Sequence, residues 1–105
     1  MNSRHIRFIG GGRWATIVLS ELVKNFPEVR VDWVCNSNLT EKLKIVDADD
    51  NFRNTRLYDK KVNNYLDTPD KIIIASHSSQ HCSDLNECIN FSGEILVEKP
   101  LFSNF

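Results

Sequence analysis

An α/β fold on a doubly wound parallel sheet of about five strands is predicted by three observations on this sequence. Short apolar, β-branched runs alternate with segments of helical period. Three glycines, Gly10-Gly11-Gly12, stand between the first apolar run and the first helical segment. Ile72-Ile73-Ile74-Ala75 reads as a strand buried on both faces, the mark of a parallel sheet covered by helices. Joined by right-handed crossovers, these pieces make one domain of Rossmann type.

Each element follows from local pattern. Ile6 to Ile9 is a short strand that the glycines end. From Arg13 to Phe26 the period turns helical: Trp14, Ile17, Val18, Leu22 and Phe26 fall on or near one face, Glu21 and Lys24 largely off it. Pro27 stops that helix. Val29 to Cys35 is a second strand, built on Val29, Val31, Trp33 and Val34. Asn36-Ser37-Asn38 is turn chemistry, and Leu39 to Val46 a short helix. In the polar stretch Asp47 to Asn64, a third strand is expected at Thr55 to Tyr58. Val62 to Leu66 is expected as a helical turn or two. After Ile72 to Ala75 come a loop at Ser76 to Ser79, a helix from Gln80 to Phe91 with Gly93 as its C-cap, and a last strand from Glu94 to Glu98.

Composition narrows the function classes. A chain of 105 residues is about one domain, with 41% hydrophobic and 26% charged residues. The net charge of -1 gives no reason to expect a nucleic acid or an anionic membrane as partner. Cys35, Cys82 and Cys88 are odd in number and match no metal-ligand spacing, so reduced thiols are expected. Met1-Asn2-Ser3-Arg4-His5 lacks the pattern of a signal peptide, and no apolar run reaches the ~18 residues of a membrane span. A cytoplasmic location is the expectation.

In open parallel sheets ligands bind beyond the carboxyl ends of the strands, near the point where strand order reverses. That rule selects Gly10 to Trp14, Cys35 to Asn38, Ser76 to Ser79 and Glu98 to Pro100. Gly10-Gly11-Gly12-Arg13-Trp14-Ala15 fits the G-x-G-x-x-[GA] fingerprint of dinucleotide binding. Gly10 permits the tight turn, Gly12 lets a pyrophosphate approach the backbone, and Ala15 keeps the helix close to the sheet. Open N–H groups at the helix start then meet phosphate charge. The second strand ends in Asn36, Ser37 and Asn38, with neither the acid that favours NAD nor an arginine. Asn36 suits a ribose hydroxyl; Ser37 or Asn38, helped by Lys42 or Lys44, suits a 2′-phosphate, and the same residues suit a turn and helix cap. NAD and NADP both stay open. His77, His81 and Cys82 invite a zinc reading, but a helix starting near Ser79 leaves His77 off the shared face, and no fourth ligand has suitable spacing. No metal is expected; a histidine lining the cofactor pocket is. Lys99, held extended by Pro100, can be desolvated beside a cofactor or can simply pair with Glu98 in solvent.

Taken together, Ile6 to Ala15, Ile72 to His81 and Val97 to Leu101 resemble the N-terminal domain of the glucose–fructose oxidoreductase / myo-inositol dehydrogenase / MocA family. The glycine fingerprint with a Trp after its Arg, a histidine beyond the fourth strand and Glu-Lys-Pro after the fifth follow in that order. The resemblance implies an oxidoreductase that moves a hydride between NAD(P) and a sugar, polyol or nucleotide-sugar, with a place in sugar metabolism or polysaccharide biosynthesis. It implies that Gly10, Gly11, Gly12, Arg13 and Trp14 hold the pyrophosphate side, and that Asn36 and Ser37 meet the adenosine ribose. Ser76, His77, Ser78 and His81 would line the nicotinamide half. Glu98 would contact the nicotinamide ribose, and Lys99 would be the catalytic lysine. Two departures stand out: Asn36 replaces an acid or basic signature, and His77 replaces a proline.

Family members continue into a second α/β domain that supplies the substrate pocket. Residues 1–105 are therefore expected to be the cofactor domain alone, with substrate turnover by this chain not expected and a homo-oligomer left open. A different class, a non-catalytic Rossmann binding or regulatory module, fits the same residues. A methyltransferase-like nucleotide fold is a poor third.

Overall fold

The computed structural model describes residues 4–36, 38–61, 67–76 and 91–97. Five strands form one sheet: β1 (His5–Ile9), β2 (Arg30–Cys35), β3 (Thr55–Asp59), β4 (Lys71–Ile74) and β5 (Glu94–Val97). Their order is β3-β2-β1-β4-β5, and every pairing is parallel. Two α-helices, α1 (Arg13–Asn25) and α2 (Leu39–Ala48), and a 3₁₀ turn at Asp50–Phe52 complete the described elements. This is a Rossmann-like α/β domain, as the alternation of strand and helix patterns predicts. Among the described residues no helix is long and apolar enough to cross a membrane. The expected helical segments at Val62 to Leu66 and Gln80 to Phe91 fall largely or wholly outside the described residues.

Register divides the strand side chains between two faces. On one, Phe8, Val31, Trp33 and Cys35 pack beneath Ala15, Leu19 and Val23 of α1. On the other, Ile9, Val34, Ile72 and Ile74 cluster with Tyr58, Phe91, Ile95 and Val97. Central strands of a parallel sheet are apolar on both faces, which is why Ile72, Ile73 and Ile74 follow one another in β4, with Ile72 and Ile74 buried and Ile73 partly so. Burying a side chain the size of Phe8 or Leu19 stabilises the fold by about 1.5–3 kcal/mol.

The core face of α1 corrects the sequence expectation. Ala15, Leu19 and Val23, four apart, meet the sheet, while Trp14, Ile17 and Phe26 stay about half exposed. The sheet selects this stripe because the small Ala15 lets the helix start close to the strands. Val18 and Leu22 flank it, partly buried. The large apolar residues that dominate the pattern are therefore mostly beside the core. Gly93 has no left-handed φ, and a Cβ there would lie 2.6 Å from the Phe91 ring and 2.8 Å from the Asp70 carbonyl oxygen. Close approach requires glycine here; the helix that it is expected to cap lies outside the described residues.

In the polar stretch after α2, β3 forms where expected. The 3₁₀ turn before it tucks Phe52 into the core, stacked on Trp33 at 6.1 Å between ring centroids. At the amino end of the sheet, a charge cluster bridges β1 and β2. His5 Nε2 lies 2.8 Å from Asp32 Oδ2, and the Arg7 guanidinium 3.6 Å from the same oxygen. The His5 amide donates to Asp70 Oδ2 at 3.0 Å, and the Asp70 amide donates to the His5 carbonyl at 2.8 Å. These bonds tie the approach to β4 against the start of β1.

Candidate functional site: the glycine-lined crevice

Because all five strands run the same way, the turns after β1, β2 and β4 share one edge of the sheet. The strand order reverses at β1, flanked by β2 and β4, so the crevice of the fold opens at the glycines. Gly10 is its hinge. Its φ of +141° is closed to ordinary L-residues, and a Cβ there would lie 2.7 Å from the backbone of Ala75. The turn after β1 thus touches the turn after β4, which carries the half-buried Ser76. The buried Trp33 indole donates to the Gly10 carbonyl at 2.8 Å, and the Gly10 amide donates to Val34 at 2.9 Å. Trp33 therefore locks the loop from below, a role that its place in an apolar strand did not announce. A buried indole N–H needs an acceptor, and that was the available signal.

Gly12 is the N-cap of α1, with ordinary φ of -73°, and no heavy atom lies within 4 Å of where its Cβ would be. Its carbonyl accepts from the Thr16 amide at 2.9 Å, so the helix begins there. The first turn of α1 carries no acidic side chain and no side-chain cap. Its leading N–H groups have no partners within the helix and form the positive end of the helix dipole. Arg13 and Trp14 are exposed at this opening. The arrangement can hold an anion.

At the end of β2, Asn36 is exposed, and Asn38 takes a left-handed φ of 54° as the N-cap of α2 without a side-chain capping bond. The residue that fills the crevice wall is Lys42, only 5% exposed. Its Cε would lie 2.8 Å from a Cβ on Gly11, and Cys35 Sγ 3.1 Å from the same point. No hydrogen bond or ion pair among the described residues engages the Lys42 ammonium. The sequence named Lys42 only as a helper; nothing in its spacing revealed that it folds inward. Of the other sequence-selected residues, the structure brings Gly10, Gly11, Gly12, Arg13, Trp14, Asn36 and Ser76 to one edge. Ser37, His77, Ser78, His81, Glu98 and Lys99 lie outside the described residues, as do Cys82 and Cys88.

Burial pushes the Cys35 thiol up to about 12, with the Lys42 charge pulling the other way. An unfolded chain releases that proton near pH 9, while the native chain keeps it. Stability from Cys35 is complete below about pH 9 and falls from there toward 12, by about 1.4 kcal/mol per pH unit. Urea unfolding at pH 8 and pH 10.5 should show this slope, and Cys35→Ala should remove it. Parallel pH profiles for both proteins would refute the burial argument.

The fold and crevice define a Rossmann-like α/β domain whose glycine turn opens onto a helix start. Comparison with protein-family models, with curated proteins and with solved structures gave no match to this chain.

Proposed function

We propose that this chain is the nicotinamide-dinucleotide-binding domain of an oxidoreductase that exchanges a hydride with a sugar, polyol or nucleotide-sugar. One observation carries the cofactor reading: Lys42 is buried in the crevice wall against Gly11, with no counter-charge among the described residues. A lysine ammonium in the first turn of α2, without a counter-charge among the described residues, stands at the wrong end of that helix dipole and favours an anion beside it, as do the leading amides of α1. A 2′-phosphate against Lys42 at the end of β2 would meet the first, and the pyrophosphate the second. The end of β2 carries Asn36 in place of the acid that would hold the ribose hydroxyls of NAD, and Lys42 stands beside it. NADP(H) is accordingly proposed in preference to NAD(H).

The pyrophosphate would rest over Gly12, where a Cβ would meet no protein atom, against the leading amides of α1. Asn36 would hydrogen-bond the adenosine ribose, and Ser76 would stand on the nicotinamide side. Lys99, which the family resemblance makes catalytic, would move a proton at the substrate hydroxyl while the nicotinamide carries the hydride. The substrate class rests on that resemblance alone. Calorimetric titration with NADPH, NADP, NADH and NAD tests the cofactor reading. The expected result is binding of the phosphorylated pair at least about tenfold tighter, with Lys42→Met erasing that gap, since one charge-assisted bond is worth about 1.5–3 kcal/mol. No heat with any of the four would end the reading.

A further inference from the structure

Helix α2 buries a residue that apolarity alone would leave outside. Of its ten residues, all described, only Lys42 is buried, while its neighbour Leu43 is 50% exposed. Lys42 lies three residues after Leu39 and four before Val46, so it shares the stripe with which these two pack on the core. The room for it is made by Gly11. The Gly11 backbone has no left-handed φ, so conformation does not call for glycine there; space does. A Cβ on Gly11 would lie 2.8 Å from Lys42 Cε, well inside the ~3.5–4.0 Å of good carbon contact. Cys35 Cβ and Sγ would both stand at 3.1 Å. Burial raises the Cys35 thiol, and the Lys42 charge pulls it down, which sets the ammonium near the end of β2.

We infer that Gly11 is a specificity-determining position of the proposed cofactor site. Bare of a side chain, it seats Lys42 across the glycine turn and holds the ammonium where β2 ends, and so sets the preference for a 2′-phosphorylated dinucleotide. This rests on the dinucleotide reading above and adds the residue that fixes its preference. Gly11 is a positioning residue, acting through Lys42. The Lys42 amide donates to the Asn38 carbonyl at 3.1 Å, so its backbone is fixed in the first turn of α2 while the tip of its side chain can swing. A methyl group on Gly11 therefore expels that tip, since Cys35 is buried within β2 and yields less readily.

Gly11→Ala, Lys42→Ala and the pair together form the test. Competitive acetylation of the chain without dinucleotide, read lysine by lysine by mass spectrometry, should show Lys42 reacting faster in Gly11→Ala than in the parent chain, measured against the exposed Lys44. Calorimetric titration should show the ratio of NADPH to NADH affinity falling at least about tenfold in Gly11→Ala, and no further change from Gly11→Ala once Lys42 is replaced. A general loosening of the turn would weaken both dinucleotides alike and leave the ratio standing. If Gly11→Ala alone fails to fold, recovery on adding Lys42→Ala supports the seat, because Cε is then gone, and continued failure overturns it. Lys42 as slow to acetylate in Gly11→Ala as in the parent chain overturns this inference alone, as does a parental preference that survives the change. Equal affinity of the parent chain for NADPH and NADH overturns the proposed preference for NADP(H) and this inference with it.

Discussion

Gly10→Ala should bring the chain to the edge of unfolding. A methyl group at this position would lie 2.7 Å from both the carbonyl carbon and oxygen of Ala75, on a backbone held at φ +141°. Strain of that kind costs about 1–3 kcal/mol, and forcing backbone apart in a packed interior costs a similar amount again. A domain of this size has only about 5–15 kcal/mol in hand. The expected loss of about 3–5 kcal/mol should lower the midpoint of thermal unfolding by at least about 15 °C. Gly12→Ala is the control, because that Cβ meets nothing within 4 Å and φ is ordinary. It should change stability by less than about 1 kcal/mol, and under the function proposed above it should weaken dinucleotide binding. Equal stability of the Gly10→Ala and parent chains would show that the turns after β1 and β4 do not touch.

Asp32→Ala should cost about as much, through electrostatics. Asp32 is 3% exposed and stands between the His5 imidazole and the Arg7 guanidinium. Removing the acid takes the partner from the buried His5 ring and the nearby carboxylate from Arg7, whose guanidinium keeps its bond to the Asp67 carbonyl, and breaking a buried pair costs about 3–5 kcal/mol. Asp32→Asn keeps the shape and a hydrogen-bond acceptor for His5, so it should cost less. The urea midpoint reads both, with an unchanged denaturant slope. The difference should persist in salt, because ions screen buried pairs weakly. A loss below about 1 kcal/mol would mean that water reaches the cluster.

What the sequence revealed depended on how local the cause was. The strands at Ile6, Val31, Thr55, Ile72 and Glu94 were legible because β-branched and apolar runs specify extended chain without help from distant residues. The glycine turn was legible because no other residue tolerates the backbone that Gly10 adopts. The face of α1 was not, since Trp14, Ile17 and Phe26 outweigh Ala15 in any hydrophobic pattern, whereas the sheet prefers the residue that lets it come closest. The 3₁₀ turn was invisible because a single Phe52 in a polar run has no period. The His5–Asp32 pair left a trace: Asp32 interrupts an apolar strand, and Arg7 interrupts the neighbouring one at the position opposite. Within the crevice, the glycines and Asn36 could be selected by their distance from strand ends. The inward fold of Lys42 could not, because a lysine among polar neighbours reads as solvated until the partner surface is known.

The central position of β1 has a consequence for biosynthesis. Of its two neighbours, β4 is the later one translated, and the pair that fastens them, His5 and Asp70, is separated by 65 residues. At ordinary rates of about 5–20 residues per second, a nascent chain waits about 3–13 s between making one and the other. Throughout that interval one flank of the middle strand has nothing to bond with, so the emerging polypeptide presents a sticky apolar ribbon to chaperones and to its neighbours on the same messenger.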